Sequence, residues 1–382
     1  MFGIMSTSAA GTGIDRLPRA VAAIERGGAE GLHVGAQLYA SLDGEVVADF
    51  ARGLARIGPD VPMAPGTLML WLSATKPVAA VAVAQLWERG LLDLDDPVAR
   101  HIDRFGARGK DRITLRHLLT HTGGLRALAG QWEEQSWDDI VAAVCDMRPE
   151  PDWVPGRKAG YHLATSWYIL GELVRRLDPQ HRPFERYVRE MIFQPVGMRD
   201  AWVGLPPEKY RTYGDRIGYM HDTASEPRPF HPGDTEPGAA ACRPGSNGRG
   251  PVRELGYFYE MLLGRGRREG AQILSPQSVE AITATHRVGM YDFTFRHTMD
   301  WGLGFLINSG RYPPGPAPYG YGPHASPRTF GHGGSQCCTA FADPERSLVV
   351  AILWNGRPGE PKHDRRLRET VGALYEDLGL TT

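Results

Sequence analysis

The sequence predicts an α+β protein in which a sheet is built from both ends of the chain and an all-helical segment is inserted between them. Three observations favour this class: strand-like stretches occur near both ends, a long and almost purely apolar helix follows the first strands, and the middle is mostly helical. We assign residues 1–95 and 250–382 to one discontinuous sheet domain, and residues 96–249 to a mostly helical insertion domain.

The first elements are an amphipathic helix and a β-hairpin. Gly27-Gly28 is expected to stop the helix, which should cover the sheet together with the last helix. Residues 33–42 and 45–51 flank Asp43-Gly44, a pair that suits the positive φ angles of a type I′ hairpin turn. The apolar positions that recur at helical spacing are Ile14, Leu17, Val21 and Ile24.

A second helix should be buried, because residues 77–87 are almost all Val, Ala and Leu. Ser73 and Lys76 stand three positions apart at its entrance and would share one face. The positive end of the helix dipole disfavours an ammonium there, and burial lowers the pKa of a lysine. The pattern therefore predicts a serine nucleophile with a lysine as proton acceptor. A chance match is the alternative, since only two of the four positions are fixed.

The middle of the chain predicts further helices and long loops. Residues 167–177 and 184–192 are amphipathic, and a proline and a glycine close the second helix. Two stretches rich in Gly and Pro, 231–251 and 310–327, are expected to be loops, either functional rims or disordered linkers.

The C-terminal part predicts more strands and a closing helix that ends at Gly379. A turn at Asp343-Pro-Glu-Arg346 should join the last two strands. The helix before these strands is expected over 255–263, and the strands over 301–307, 339–342 and 348–354.

Composition excludes several classes of function. With 43 basic and 44 acidic residues the formal charge is −1, so nucleic acid and anionic membrane are poor candidates as partners. The N-terminus has neither a basic nor a sustained apolar segment, and no span approaches the length of a membrane helix. Four cysteines without a C-x-x-C pair do not indicate a disulfide framework. We expect a cytoplasmic protein that needs no metal or other cofactor.

Several separated stretches resemble the serine β-lactamase-like family, which includes class C β-lactamases, D,D-peptidases, family VIII carboxylesterases and related acyltransferases. The resemblance runs from about residue 35 to residue 354. It is carried by Ser73-Ala-Thr-Lys76, Leu118-Leu-Thr-His-Thr-Gly-Gly-Leu125, Tyr161 after Pro155-Gly156, Pro195-Val-Gly-Met198 and Gly331-His-Gly-Gly-Ser335.

The resemblance implies a β-lactamase/transpeptidase-like fold: an antiparallel sheet flanked by helices, beside an all-α insertion domain, with the active site between them. It implies Ser73 as nucleophile, Lys76 as its partner and Tyr161 as the general acid–base group. We expect the cation of Lys76 to lower the pKa of Tyr161. The backbone N–H groups of Ser73 and Ser335 would form the oxyanion hole.

The expected substrate-binding residues are His332, Gly333 and Gly334 on an edge strand, together with Leu163 and Trp153. Two departures from β-lactamases lie among them. In that branch the second motif is Tyr-x-Asn and the third is Lys-Thr-Gly, whereas this chain has Leu163 and His332 at the Asn and Lys positions. Leucine cannot bond a substrate amide, and a mostly neutral histidine is not a fixed cation for a substrate carboxylate. Both changes resemble the esterase and acyltransferase branches.

Other constellations give weaker signals. His117 and His121 have a zinc-like spacing but lack the glutamate of a metalloprotease motif, and ordinary packing is the preferred interpretation. No G-x-S-x-G occurs, and Cys337-Cys338 should pack. Three tryptophans lie in the region that lines the acyl pocket in relatives, and anchoring of the core or of loops explains each of them equally well. They are Trp132, Trp137 and Trp153.

The sequence therefore predicts a serine hydrolase or acyltransferase that cleaves a small carboxylic ester through an acyl-Ser73 intermediate. The acyl group would pass to water or to an alcohol or amine acceptor. Two alternatives remain, a penicillin-recognising enzyme of the β-lactamase or D-aminopeptidase type and a catalytically silent ligand-binding protein. The oligomeric state cannot be inferred.

Overall fold

The computed structural model describes residues 10–127 and 135–381. Within those ranges the chain forms eleven α-helices and eighteen strands. The helices are α1 Pro18–Ala29, α2 Lys76–Glu88, α3 Leu115–Leu119, α4 Trp137–Asp146, α5 Thr165–Leu177, α6 Phe184–Val188, α7 Pro207–Tyr213, α8 Glu236–Ala240, α9 Val252–Leu263, α10 Pro276–Thr283 and α11 Glu360–Asp377.

The strands are mostly short outside the main sheet. They are β1 Ala10–Thr12, β2 Gly35–Leu42, β3 Glu45–Arg56, β4 Val61–Pro62, β5 Met69–Leu72, β6 Trp202–Val203, β7 His221–Asp222, β8 Arg228–Pro229, β9 Gly248–Gly250, β10 Arg267–Arg268, β11 Ala271–Gln272, β12 Arg287–Asp292, β13 His297–Trp301, β14 Leu306–Ile307, β15 Phe330–Gly334, β16 Cys338–Asp343, β17 Leu348–Trp354 and β18 Gly356–Arg357.

The main sheet has the order β1-β3-β2-β17-β16-β15-β14-β13-β12, and all of these pairs are antiparallel. The first long strands thus pair directly with a strand from the C-terminal part, with Leu42 opposite Leu348. The expected sheet from both ends of the chain and its antiparallel direction are confirmed.

Each face of the sheet is covered by helices, because alternate residues of its strands are buried on opposite sides. On one face, Leu38 and Ile352 pack with α1 and α11. On the other, Tyr39 and Ala351 face α9 and the apolar helix α2. The first and last helices therefore cover the sheet as predicted. Helix α2, buried on all sides, lies between the sheet and the helical insertion, where it also packs on α5.

Several predicted elements match the structure closely. The hairpin of β2 and β3 turns at Asp43 and Gly44, both with positive φ. Helices α2, α5, α9 and α11 and strands β16 and β17 lie where the sequence pattern predicted them, and the loop over 310–327 carries no helix or strand.

Other expectations are wrong. Helix α1 continues through Gly27-Gly28 to Ala29, because Gly27 packs against the His33 ring inside the structure and forms no C-cap. The stretch 301–307 is not one strand: Trp301 ends β13, Leu306–Ile307 form β14, and a turn separates them. The stretch 231–251 contains α8 and β9. Between α2 and α9 the chain is mainly helical but also carries β6 to β9, so the expected all-α insertion is not purely helical.

No helix in the described ranges combines enough length with enough apolar character to cross a bilayer.

Candidate active site

Ser73 lies at the junction between a short strand and the buried helix. Strand β5 ends at Leu72, residues Ser73–Thr75 form a 3₁₀ turn, and α2 begins at Lys76. Thr75 Oγ1 fixes this turn, since it donates to Leu72 O at 2.6 Å and accepts from Gly248 N at 2.8 Å. The serine is therefore presented by a turn that two neighbouring strands hold rigidly.

The backbone before the nucleophile is unusual. Leu72 has φ 50° and ψ −131°, a conformation that a branched side chain rarely adopts. Such backbone strain persists only where the surrounding structure imposes it, and it occurs frequently at functional sites. Here the sharp reversal redirects the chain from β5 into α2 and turns the Ser73 side chain toward a cavity.

Lys76 lies directly beside the serine. Its Nζ is 3.1 Å from Ser73 Oγ and donates to Gly245 O at 2.8 Å, and the side chain is fully buried. Burial holds the pKa of Lys76 well below its usual value. A neutral amine can donate to the carbonyl and offer its lone pair to the serine O–H, which is the arrangement a proton acceptor needs.

Tyr161 is the third predicted catalytic residue, and it lies next to Ser73 and Lys76. Its hydroxyl lies close enough to the Ser73 side chain for the serine to influence its pKa, and Lys76 Nζ lies 5.0 Å from the centre of its ring. The structure contradicts the expected lowering of the tyrosine pKa. Burial is the largest cause and raises the pKa of Tyr161; the interaction with Ser73 lowers it by less, and the charge of Asp292 raises it further. Because Lys76 is itself driven to the neutral form, it does not supply the cation that a tyrosinate would require.

A buried ion pair, Arg287–Asp292, holds the segment that carries Tyr161. Asp292 Oδ1 accepts the N–H of Tyr161 at 3.1 Å, and Oδ2 accepts from Arg287 Nη2 at 3.0 Å. Both side chains are at most 1% exposed. No sequence motif predicted this pair. The one local signal is that Asp292 begins the tight turn between β12 and β13, where it also accepts the N–H groups of Thr294 and Phe295.

Ser73 and Tyr161 line a cavity of about 430 Å³ between the helical segment and the sheet. Leu163, His332, Gly333 and Ser335 line it, as predicted. The lining residues are Ser73, Tyr161, Leu163, Thr294, Phe295, Trp301, Leu306, Pro318, Tyr319, His332, Gly333, Ser335, Glu360 and Asp364. Lys76 lies behind Ser73, outside this lining.

Two expected substrate-binding residues lie elsewhere. Trp153 does not line the cavity, because its indole N–H donates to Thr122 O at 2.9 Å and its ring packs on Gly124 and Phe293. These contacts favour the interpretation that Trp153 anchors a loop. Gly334 lies beneath the surface, where a Cβ would come within 2.3 Å of Trp71 O. Its role is to let β15 approach β5 closely.

The sequence predicted that β15 would be an edge strand of the sheet, and this prediction is wrong. The strand lies between β16 and β14. However, β14 pairs only with Phe330 and Gly331, so the backbone from His332 to Gly334 has no strand on that side and faces the cavity region. Because β14 is short, part of the interior strand β15 has an unpaired edge.

His332 is buried and neutral. Its Nδ1–H donates to Gly333 O at 2.7 Å, and burial lowers its pKa to about 3. The site therefore has no cation at this position, in agreement with the departure seen in the sequence.

Ser335 follows β15 at the opposite side of the cavity from the helical segment. Ser73 is the first residue of its 3₁₀ turn, where a backbone N–H has no partner within the helix. The two N–H groups thus belong to residues that line the same cavity. Their joint role as an oxyanion hole stays a prediction.

Other singled-out residues have structural roles. His117 Nδ1 accepts Thr114 N–H at 3.1 Å in a capping box, and His121 Nδ1 accepts His162 N–H at 3.0 Å. Cys337 and Cys338 are free and buried. Trp137 begins α4 and packs on Tyr168, away from the cavity lining. Trp132 lies outside the described residues.

Comparison with known proteins agrees with this geometry. The Beta-lactamase family model matches residues 20–374. "Esterase/beta-lactamase LipL" of Mycobacterium tuberculosis is 27% identical over 84% of this chain and 77% of its own length. Two solved structures cover 96% of this chain and all of theirs. A penicillin-binding protein homologue from Caulobacter crescentus has a TM-score of 0.79 at 30% identity. A family VIII carboxylesterase has a TM-score of 0.80 at 26% identity.

The family model spans most of the chain, including the strand-to-helix turn with Ser73, the segment with Tyr161 and strand β15. The chain therefore belongs to the beta-lactamase family.

Proposed function

We propose that this protein is a serine esterase that forms an acyl-Ser73 intermediate and passes the acyl group to water or to an alcohol or amine. The observation that carries the proposal is the meeting of three groups beside one cavity: the Ser73 hydroxyl, the buried Lys76 amine 3.1 Å from it, and the Tyr161 hydroxyl next to the serine. The names of LipL and of the family VIII carboxylesterase support ester chemistry.

In the acylation step, Ser73 Oγ attacks the ester carbonyl and its proton passes to the neutral amine of Lys76. A C–O bond forms to Ser73, and the C–O bond to the leaving alcohol then breaks. Tyr161, protonated because its pKa is raised, donates its proton to the leaving oxygen and regains one from the Lys76 ammonium. Charge on the carbonyl oxygen would be stabilised by the N–H groups of Ser73 and Ser335.

In the second step an incoming water, alcohol or amine reverses this sequence. Tyr161 accepts the proton of the incoming group while it passes its own proton to Lys76, the acyl–Ser73 bond breaks, and the Lys76 ammonium returns a proton to Ser73 Oγ. The chemistry is the same for hydrolysis and transfer, so the choice of acceptor depends on what binds beside the acyl-enzyme. A small-molecule ester and an alcohol or amine acceptor are the partners that we propose.

The character of the cavity favours an ester over a β-lactam. A β-lactam presents a carboxylate and an amide, but His332 is neutral and Leu163 offers no polar atom. The printed name of LipL nevertheless joins both activities, so β-lactam hydrolysis is the second candidate.

The test is intact-protein mass spectrometry after incubation with a panel of p-nitrophenyl esters. We expect an added acyl mass on the wild type, release of p-nitrophenol, and neither with Ser73→Ala. Equal turnover by both proteins would refute the proposal. Rapid hydrolysis of nitrocefin with slow ester cleavage would favour the second candidate. Failure of a fluorophosphonate probe to label Ser73 would favour a silent binding protein.

A further inference from the structure

The charged side chains that line the active-site cavity are both acidic. Glu360 and Asp364 stand four positions apart in α11 and therefore share one helix face, which borders the cavity. Lys76 is fully buried behind the serine and does not line the cavity. A bound substrate at this end of the cavity thus meets carboxylates and no lining cation.

Ordinary helix chemistry accounts for only one of these acids. A carboxylate in the first turn is stabilised by the helix dipole, which explains Glu360 at the start of α11. Glu360 is also fixed in place, since it accepts from the Tyr319 hydroxyl at 2.7 Å and from Gln336 Nε2 at 3.3 Å. Asp364 lies a turn later, and the dipole gives no reason for it to face the cavity.

Asp364 lacks a partner for one of its oxygens. Its Oδ1 is buried and accepts no hydrogen bond from the described part of the chain. Burial, together with the charge of Glu360, raises the pKa of this carboxyl to about 6. A buried acceptor without a donor costs free energy, and a ligand that brings a donor or a cation removes that cost.

A second, independent group points to the same kind of ligand. His332 is 4% exposed, lines the cavity, and donates its Nδ1 proton to Gly333 O. Its Nε2 is therefore a bare acceptor, and no donor reaches it from the described ranges. Two residues that line the cavity, one on β15 and one on α11, thus carry an unpaired buried acceptor, which a donor or a cation on the substrate would complement.

The rest of the wall is aromatic. Tyr161, Phe295, Trp301 and Tyr319 line the same cavity. Aromatic faces attract ammonium groups, and alkylated ammonium ions most readily because they lose little hydration. Carboxylates at one end and aromatic rings around the sides are the combination that selects a cation.

We propose, resting on the esterase function above, that the cavity is selective for esters bearing a cationic amine or quaternary ammonium group, which Glu360 and Asp364 hold. The same carboxylates would disfavour substrates with phosphate or carboxylate groups.

The test uses two pairs of esters that differ only in charge. The first is choline butyrate against its isostere with a tert-butyl group in place of trimethylammonium. The second is the p-nitrophenyl ester of γ-trimethylammoniobutyrate against its tert-butyl isostere. The cation lies on the alcohol in one pair and on the acyl group in the other. For at least one pair we expect a kcat/KM ratio, cation over neutral, of roughly ten.

The ratio should fall toward one in the double variant Glu360→Gln/Asp364→Asn. Glu369→Gln, an exposed carboxylate of the same helix that does not line the cavity, is the matched control and should keep the wild-type ratio. Should the double variant not fold, the wild-type ratio is measured between about 20 and 500 mM NaCl, where screening should lower it.

Equal turnover of both members in both pairs would overturn the inference and leave the esterase function intact. A preference that persists in the double variant, or one that salt does not change, would overturn the assignment to these carboxylates. Absence of both turnover and acylation with all four esters would instead refute the esterase function, and this inference with it.

Discussion

Two ionisable groups beside Ser73 are kept neutral by the same cause. Lys76 and Tyr161 are both buried, and desolvation disfavours both the ammonium and the phenolate. Neither member of the pair is therefore charged at rest. A base that is neutral and an acid that is protonated at the same pH is the combination that acylation needs.

Lys76→Met should abolish esterase activity and raise the stability of the protein. The unfolded lysine is protonated up to its usual pKa, whereas the folded one is not, so its burial costs stability at neutral pH. We expect a gain on the order of 1 kcal/mol at pH 7, measured by urea unfolding, that shrinks as the pH approaches the usual lysine value.

Lys110→Met is the matched control for this variant. Lys110 is equally buried, but it donates to three carbonyl oxygens, those of Ala107, Cys145 and Met147, at 2.9, 2.7 and 2.6 Å. Its replacement leaves three acceptors unpaired and should lower stability. Equal destabilisation by both variants would contradict the proposed cost of the catalytic amine.

Tyr161→Phe should slow the cleavage of alkyl esters far more than that of p-nitrophenyl esters. An alkoxide needs the tyrosine proton in order to leave, whereas p-nitrophenolate is stable without it. We expect a loss of about 10²–10⁴-fold in kcat for an ethyl ester and a much smaller loss for the activated ester. Steady-state kinetics on both esters measure this, and equal losses would argue for a structural role only.

At this scale the sequence predicted the nucleophile, its amine and the phenol, because short motifs fix residue types. It could not predict their protonation states. The pKa of Tyr161 depends on burial by Phe295 and Trp301, which lie more than 130 positions away in the chain. Glu360 and Asp364 were missed for the same reason, since helical periodicity shows only that they share a face.

Among the secondary-structure elements, the hairpin of β12 and β13 is the one that positions Tyr161. Asp292 ends β12 and binds the Tyr161 backbone, and a bridge between Ala159 and Asp292 joins the same two segments. The hairpin thus transmits the rigidity of the sheet to a segment that has no regular structure of its own.

Asp292→Ala should destabilise the protein by about 3–5 kcal/mol, because it leaves the buried Arg287 without its partner. Asp292→Asn keeps the acceptor for the Tyr161 N–H and should cost less. At a temperature where both variants are folded, kcat should be lower for the alanine variant. Thermal unfolding and kinetics of the two proteins check this, and equal stabilities would contradict the ion-pair role.

Secondary-structure prediction succeeded where a local pattern decides the structure and failed where distant contacts decide it. The apolar run of α2 and the Asp43-Gly44 turn specify their own conformations. The ends of elements do not: α1 runs past two glycines because His33 fills the space beside Gly27. Strand β14 is only two residues long because the following loop leaves the sheet.

Several histidines across the molecule are buried in the neutral form. Burial lowers the pKa values of His162 and His332 to about 3, and the charge of Arg287 lowers that of His162 further. Burial also holds the pKa values of His121, His33 and His363 well below the usual range. Both sides of the sheet and the helical segment contain such residues, so this property belongs to the fold as a whole.

Stability should therefore fall steeply below about pH 6.5, the usual histidine pKa. In that range the unfolded chain binds protons that the folded protein excludes, until the folded pKa values are reached. At pH 5 the loss is on the order of 2 kcal/mol for each of His162 and His332. Urea unfolding between pH 5 and pH 8 tests this, and a flat profile would contradict it.

The pairing of β2 with β17 has a consequence for biosynthesis. Leu42 of β2 pairs with Leu348 of β17, so about 300 residues must be synthesised after β2 before β17 is available to pair with it. At roughly 5–20 residues per second, translation leaves this strand without its partner for about 15–60 s. During that time Leu38 and its neighbours present an apolar, unpaired edge to other nascent chains. The ribosome-bound N-terminal hairpin is thus the stage at which a chaperone would protect this protein most effectively.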